Sequence, residues 1–188
     1  MHPTKYPLMV WAGFLMVLFC LGACKKDEKN IPEIERLPPA TQSGKYTAGC
    51  LVDGRALLPD KIASVGTTGL KSEVVKTKIG WYFNLSIVDS QNKPNTRALS
   101  IVAKDIDLKE GRAYPLGIMA NTGADGVYLW STGQNDYIYS TAINATGLLT
   151  ITKLDPEKGV VAGTFYLDAV RDDGKRVEIR EGRFDVWF

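Results

Sequence analysis

Histidine, the side chain that most often acts as a catalytic base, occurs only once in this sequence. Its single histidine is His2, which lies in an N-terminal segment that we expect to be removed. Without a histidine, the rest of the chain cannot build a Ser-His-Asp or Cys-His triad, a histidine-ligated zinc site or an imidazole base. The sequence therefore argues against several common classes of catalytic site and metal centre.

Carboxylates are the remaining candidates for catalysis or metal binding. A two-carboxylate hydrolase is open as an alternative, but no spacing singles out a pair among the acids on or beside predicted strands: Glu73, Glu178 and Glu181. Four oxygen-bearing side chains flank the irregular stretch 106–125 and could ligate calcium: Asp105, Asp107, Asn121 and Asp125. Because they lack the dense acidic pattern of a calcium loop, we expect turns there, no metal and no cofactor.

Four aromatic side chains form the most suggestive pattern for binding. Tyr128 and Trp130 lie two residues apart on one predicted strand, and Tyr137 and Tyr139 lie two apart on the next. An even-numbered connection of six residues separates Trp130 from Tyr137. Simple antiparallel pairing then sets Trp130 opposite Tyr137 and Tyr128 opposite Tyr139, so all four rings share one face of the sheet.

Two orientations of this aromatic face are open. If Leu129 and Ile138 point inward, the four rings stand outside, next to the stretch 106–125, and could stack on sugars or enter a protein interface. Alternatively the rings form the core face, since aromatic residues commonly fill β-cores, or a bulge breaks the register. The first orientation predicts a binding surface made of the stretch 106–125 and four residues: Tyr128, Trp130, Tyr137 and Tyr139.

β-strands are the elements that must position these residues. From residue 46 onward, apolar and polar residues alternate, and turn signals recur about every 8 to 12 residues. No stretch shows a convincing helical period. About ten short antiparallel strands predict an all-β domain, either a β-sandwich, which we favour, or a closed β-barrel.

Two turns in the first half predict strand register. Asp53-Gly54 is a typical two-residue hairpin signal. Farther along, a five-residue loop at 91–95 sets Ile87 opposite Leu99, which places the apolar residues of both strands on one face. The same register sets Asp89 opposite Arg97 as an exposed ion pair.

The last third of the chain gives the clearest register. A three-residue loop at 172–174 sets Leu167 opposite Ile179, whereas a two-residue loop would place apolar residues beside charged ones. After Ile179 the apolar positions change from odd to even numbers. Gly182 is the expected place for the bulge that absorbs this change.

The N-terminus is typical of an export signal. Lys5 precedes the apolar run Leu8–Phe19, which is shorter than the ~20 residues needed to span a membrane. The run ends at Leu21-Gly22-Ala23-Cys24, which resembles the lipobox of bacterial lipoproteins. That resemblance implies a signal peptide at residues 1–23 and a lipidated Cys24 that anchors the protein in a lipid bilayer.

The segment after Cys24 refines this expectation. Lys25-Lys26-Asp27-Glu28 is similar to the surface-export signal of Bacteroidota lipoproteins, which implies an outer-membrane protein facing outward. Residues 24–45 combine prolines with scattered charge, so we expect a lipidated, disordered tether followed by a single domain at 46–188. Cys50 lies alone in an apolar run, and we expect it to be buried and inert.

Blocks at both ends of the predicted domain extend the resemblance: Leu37–Gln42, Gly49–Gly54, Gly147–Asp155 and Glu181–Val186. They resemble a family of uncharacterised Bacteroidota lipoproteins, which implies an all-β domain behind a lipid anchor and supplies no activity. The formal net charge of only +2 gives no reason to expect nucleic-acid binding. We therefore expect a non-enzymatic envelope protein that binds a glycan or another envelope component, or alternatively a structural or assembly lipoprotein without a small ligand.

Overall fold

The computed structural model describes residues 31–61, 69–117, 122–141 and 146–188. Within these ranges a short 3-10 helix at Glu33–Arg36 precedes eleven β-strands. The strands are β1 (Thr47–Val52), β2 (Arg55–Leu57), β3 (Leu70–Lys76), β4 (Trp81–Asp89), β5 (Thr96–Ile106), β6 (Ala113–Pro115), β7 (Gly123–Ser131), β8 (Asp136–Ser140), β9 (Gly147–Asp155), β10 (Val160–Val170) and β11 (Arg176–Trp187). The predicted all-β, antiparallel fold is confirmed.

The strands form one sheet that folds over itself in a sandwich-like arrangement. Its order is β2-β1-β11-β10-β8-β7-β5-β4-β3, and β9 branches from β10 to pair with β6. A single pair, Val170 with Ser140, joins β10 to β8 and thereby links the two halves. The halves face each other across one core, where the rings of Phe83 in β4 and Phe184 in β11 lie 5.5 Å apart between centroids.

The registers predicted for the local hairpins are confirmed. Asp53 and Gly54 have φ values of 47° and 77°, as a type I′ turn between β1 and β2 requires. Ile87 pairs with Leu99 across the β4–β5 hairpin, and both are fully buried. The alternation of apolar residues and the residue types in the turns together predicted the strand pairing of both hairpins correctly.

The β10–β11 hairpin also has the predicted pairing, with Leu167 opposite Ile179. Its bulge lies just before the predicted position, because Glu181 and not Gly182 adopts the left-handed backbone, at φ 55°. Gly182 is needed for a different reason. A Cβ atom there would lie 2.3 Å from Cδ2 of Phe165, so the missing side chain lets that ring pack across the β11 backbone.

The segment 32–45, which we name the N-terminal strap, corrects the prediction of a disordered tether up to residue 45. It forms one compact unit with the rest of the domain, which therefore begins at Pro32 and not at residue 46. Leu37 is buried, and Thr41 donates a hydrogen bond of 2.6 Å to the Asp185 carboxylate. This partner is 144 residues away in the chain, so local composition gave no sign of it.

Residues 1–30 lie outside the described residues, and with them the predicted signal peptide and Cys24. In the ranges that are described, no helix is long and apolar enough to cross a membrane. The predicted burial of Cys50 is confirmed, and burial raises the pKa of its thiol to about 12.

Candidate functional site

The predicted pairing of the four aromatic residues is confirmed, but their face is the core face. Tyr128 lies opposite Tyr139, and Trp130 lies opposite Tyr137. Tyr128 and Tyr139 are only 5% and 6% exposed, and burial raises the pKa of Tyr128 to about 12. The prediction of an outward-facing aromatic surface is therefore wrong for this inner pair. The reason is that Tyr128 pairs with the buried Leu99 of β5, so both lie on the core side.

The outer pair lies at the rim of the core. Trp130 is 40% exposed, its ring centroid is 5.2 Å from that of the partly buried Tyr137, and the Arg171 guanidinium lies over Tyr137. In the described residues the predicted contact with the stretch 106–125 is not found, because that stretch meets β7 at Gly123, at the opposite end of the strand from Trp130. Trp130 is seven residue steps along the strand from Gly123, or about 23 Å at ~3.3 Å per residue.

Four side chains form a row across the end of the sheet, which we name the rim row: Asp89, Arg97, Trp130 and Tyr137. They are successive cross-strand neighbours on β4, β5, β7 and β8. The row directly inside it is apolar or aromatic: Ile87, Leu99, Tyr128 and Tyr139. On the inner face of the sheet, the row that contains Leu99 thus belongs to the core, and the next row, which contains Arg97, already carries charged side chains.

Arg97 is the centre of the rim row and connects the two halves of the fold. Its Nη2 lies 2.5 Å from the Asp89 carboxylate and donates a 2.9 Å hydrogen bond to the carbonyl of Ala56 in β2. The Asp89–Arg97 pair was predicted to be exposed, but its side chains are only 12% and 25% accessible. Packing of β2 over this end of the sheet covers them, which the hairpin register alone could not show.

The strap completes the same corner through Glu33. Its Oε2 accepts a 2.7 Å hydrogen bond from the Ala56 N–H, and this bond lowers the pKa of Glu33. Ala56 lies on the edge strand β2, so its outward N–H and carbonyl would otherwise lack sheet partners. Glu33 accepts from the Ala56 N–H and Arg97 donates to the Ala56 carbonyl, so both outward backbone groups of this edge residue have a hydrogen-bond partner.

A cleft of about 720 Å³ opens between the rim row, β2 and the strap, and we name it the rim cleft. Arg97 and Trp130 line one side of it, and Arg55 lines another. Three amide side chains from the β4–β5 loop add hydrogen-bond donors and acceptors: Gln91, Asn92 and Asn95. The cleft therefore combines an exposed indole with polar groups of several kinds.

A buried carboxylate holds the chain next to the rim cleft in place. Asp60 is 7% exposed, and it accepts hydrogen bonds from the Ser90 hydroxyl and from the Ser90 N–H, the latter at 3.0 Å. The Asp60 N–H in turn donates to the carbonyl of Val88 at 2.9 Å. These bonds join the segment that contains Asp60 to the end of β4 and the start of the amide-bearing loop, so the loop begins on a supported backbone.

Two of the acids proposed from sequence for calcium, Asp105 and Asp107, are engaged with other side chains, and burial raises the pKa of the third, Asp125. Asp107 forms ion pairs with Lys109 at 2.6 Å and Arg112 at 3.0 Å, which lower its pKa. Asp105 accepts a hydrogen bond from Thr77, and Asn121 is outside the described residues. The described part of the chain contains no group of three or more acidic, histidine or cysteine side chains that could hold a metal ion.

The acids considered for hydrolysis lie outside the rim cleft. Glu178 is 3.4 Å from Arg180, and Glu181 is 3.3 Å from Arg183. Glu73 is exposed on β3, at the far edge of the sheet. The site found in the structure was thus predicted only in part: Trp130 from the aromatic pattern and Arg97 from the hairpin register, but not Arg55 or the strap.

We found no protein family, no curated protein and no solved structure that matches this chain. The resemblance to Bacteroidota lipoproteins therefore stays a prediction, and the functional argument depends on the geometry of the rim cleft.

Proposed function

We propose that this protein is a non-enzymatic binding module of a bacterial cell envelope whose rim cleft takes a glycan. The observation that carries the proposal is the partly exposed Trp130 at the edge of a 720 Å³ polar cleft. A sugar ring has an apolar face that packs on an indole and a belt of hydroxyl groups that need hydrogen-bond partners. The rim cleft offers both on a backbone that is held by the sheet.

The way in which Trp130 is held supports this use. Its ring contacts Tyr137, and Arg171 lies over Tyr137 at 4.7 Å, so the platform is braced from the side. A preorganised ring loses little conformational entropy when a ligand packs on it. Exposing such a ring without a ligand brings no gain in folding stability, since its outer surface stays in water.

The setting in the envelope is part of the same proposal. It depends on the lipobox-like Leu21–Cys24 and on the charged residues that follow it. Lipidation of Cys24 would anchor the protein in the outer membrane with the domain facing outward. Labelling cells with a radioactive fatty acid, for wild type and Cys24→Ser, tests this part: only the wild type should carry label.

Glycan binding is tested by a thermal-shift screen of the purified full-length protein against neutral and acidic oligosaccharides, with hits repeated by calorimetry. We expect a saturable hit that Trp130→Ala weakens at least about tenfold while its melting temperature without ligand stays within about 2 °C of wild type. Trp187→Ala is the matched control, because Trp187 is also exposed, at 55%. Trp187 is also far from the rim cleft. The cleft residue Val52 pairs with Ile179 near the start of β11, whereas Trp187 is the last residue of that strand.

The outcome of that screen separates the proposal from its rivals. Equal loss of affinity in both tryptophan variants would move the site away from the rim cleft. Unfolding of Trp130→Ala would show that the indole is a core residue, and Trp130→Phe would then be needed to keep an aromatic platform. Turnover of any oligosaccharide that a single Glu→Gln change abolishes would replace binding by hydrolysis.

A structural or assembly role is the second candidate, because apolar side chains are exposed at the other end of the molecule. Ile79 is 77% exposed and Val75 is 46% exposed, and the Ser72 hydroxyl brings β3 to the carbonyl of Trp187 at 2.9 Å. A surface of this kind is typical of contact with another protein. This role predicts co-purification with a membrane complex, sensitivity of that complex to Ile79→Asp, and no response to any sugar.

A further inference from the structure

The charges that line the rim cleft differ in how far they are already engaged. Three acids line it, and each accepts a hydrogen bond within the domain: Glu33 from Ala56, Asp53 from Glu178, and Asp89 from Arg97. Their charge is thus directed at groups of the protein itself. Glu33 and Asp89 also form ion pairs, whereas the exposed Asp53 keeps its full charge beside the cleft.

The cations are engaged unequally. Arg36 pairs with Glu33 at 3.0 Å, and Arg97 pairs with Asp89. Arg55 and Lys61 also line the cleft and are exposed. Among the described residues neither forms a salt bridge, and the remainder of the sequence supplies only two acids, Asp27 and Glu28.

The lining of the cleft therefore carries a net positive charge. Its lining holds four cationic side chains against three acidic ones, and the surplus lies on the two cations that have no ion-pair partner in the described structure. A guanidinium on a short edge strand presents a planar fork of N–H donors, which matches the two oxygens of a carboxylate. The adjacent ammonium of Lys61 adds a second charge without a fixed direction.

We infer that the ligand of the rim cleft is an acidic glycan, in which a uronic acid carboxylate is bound by Arg55 and Lys61 while a sugar face packs on Trp130. This inference rests on the proposed function and narrows it to one class of glycan. Glu33 and Asp89 are already paired with Arg36 and Arg97. Among the described residues only the lining acid Asp53 has no ion-pair partner, so the cleft as a whole keeps a net positive charge toward the ligand. A neutral glycan would leave Arg55 and Lys61 without a role in recognition.

The test compares acidic oligomers with their own methyl esters. Galacturonate, mannuronate and glucuronate oligomers, each beside its fully methyl-esterified form, are titrated calorimetrically into the full-length protein. The ester keeps the sugar ring, removes the charge and adds one methyl group to the carboxyl oxygen. We expect at least one acidic oligomer to bind about tenfold or more tighter than its ester, with an affinity that falls as salt is raised.

Variants locate the effect. Arg55→Gln and Lys61→Gln should each lower the preference for the acid over the ester, and the double variant should abolish it. Lys78→Gln is the matched control, because Lys78 is exposed in the turn before β4, at the far end of that strand from Asp89. It removes the same total charge from the protein and should leave the preference unchanged.

Each of the other possible results would overturn one part of this inference or of the proposed function. Equal affinity for an acid and its ester, lost in Trp130→Ala, would overturn the acidic class but keep glycan binding. Tighter binding of a sulfated oligomer than of any uronate would overturn the carboxylate assignment. Absence of binding to every acidic and neutral oligomer would overturn the proposed function, and the inference with it.

Discussion

Asp185 should be the residue on which the ordering of the N-terminal strap depends. Its carboxylate is 1% exposed, and Oδ2 accepts hydrogen bonds from the Thr41 hydroxyl at 2.6 Å, the Ser43 N–H at 3.0 Å and the Lys45 N–H at 3.2 Å. Oδ1 accepts from the Gly44 N–H at 2.7 Å. One charge on β11 therefore gathers four donors from the strap.

The substitution Asp185→Asn keeps the shape of the side chain and removes the charge. An asparagine can place one oxygen toward three of the donors, but its NH₂ group then faces the Gly44 N–H, and that donor loses its partner. A buried unpaired donor costs about 1–3 kcal/mol, and three neutral bonds replace charge-assisted ones at a further cost. We expect a loss of about 3 kcal/mol, which lowers the melting temperature by about 6–12 °C in a domain of this size.

The pH dependence gives an independent check with a defined sign. Burial tends to raise the pKa of Asp185, but the Thr41 hydroxyl and the strap N–H groups outweigh it, and the net pKa is lowered. A carboxyl with a lowered pKa stabilises the fold above its unfolded pKa of about 3.9, and this contribution is lost as pH falls through the folded value. The difference in unfolding free energy between wild type and Asp185→Asn should therefore shrink on acidification below about pH 4.

Two assays measure this prediction. Urea unfolding at several pH values gives the free energies, and trypsin digestion reports whether the peptide bond after Lys45 becomes accessible under native conditions. The control is Asp172→Asn, an exposed aspartate in the β10–β11 turn, which should leave both readouts unchanged. A stability loss under about 1 kcal/mol, or a difference that stays constant down to pH 3, would refute the assignment of the strap to Asp185.

Two further predictions test the packing of the core. Gly182→Ala should lower the free energy of unfolding by about 2 kcal/mol or more, because the new methyl group would lie 2.3 Å from the Phe165 ring. The control is Gly117→Ala, where a Cβ meets no atom within 4 Å. Equal melting temperatures of the two variants would contradict the account. Cys50 should resist a thiol reagent at pH 8 in the folded protein and react fully in guanidinium, because burial raises its pKa to about 12. Rapid labelling of the native protein would contradict this prediction, since it would show that the thiol is accessible.

Local hairpins were predictable from the sequence, because two short-range constraints act together on each. In β10–β11 the apolar parity of Leu167 and Ile179 and the length of the turn allow only one register. The bulge near Gly182 followed from the change in parity. Its exact residue did not, because the change in parity limits the bulge only to the residues between Ile179 and Phe184.

The orientation of the aromatic face could not be derived from β7 and β8 alone. Both faces of that hairpin carry apolar residues, such as Leu129 on one and Tyr128 on the other, so periodicity does not say which is buried. The pairing of β7 with β5 decides it, because Tyr128 lies opposite Leu99. That contact spans the stretch 106–125, and the turns expected there do not say which strand β7 will join.

The rim cleft was even less visible in the sequence, since residues from four separate segments line it: the strap, 52–61, 89–97 and 128–130. Glu33 and Arg97 meet only at the two polar groups of Ala56 in the edge strand β2. Each of these residues has an ordinary local context. The composition of the strap resembles that of a solvated linker, and only its long-range partners order it.

Calorimetric titration of acidic and neutral oligosaccharides into wild type, Trp130→Ala and Trp187→Ala, with a thermal melt of each protein, tests the central claim most directly. The account predicts saturable binding by wild type and Trp187→Ala, and at least about tenfold weaker binding by a Trp130→Ala variant that melts normally. Binding that survives in Trp130→Ala, or no binding of any oligosaccharide by the folded wild type, would contradict it.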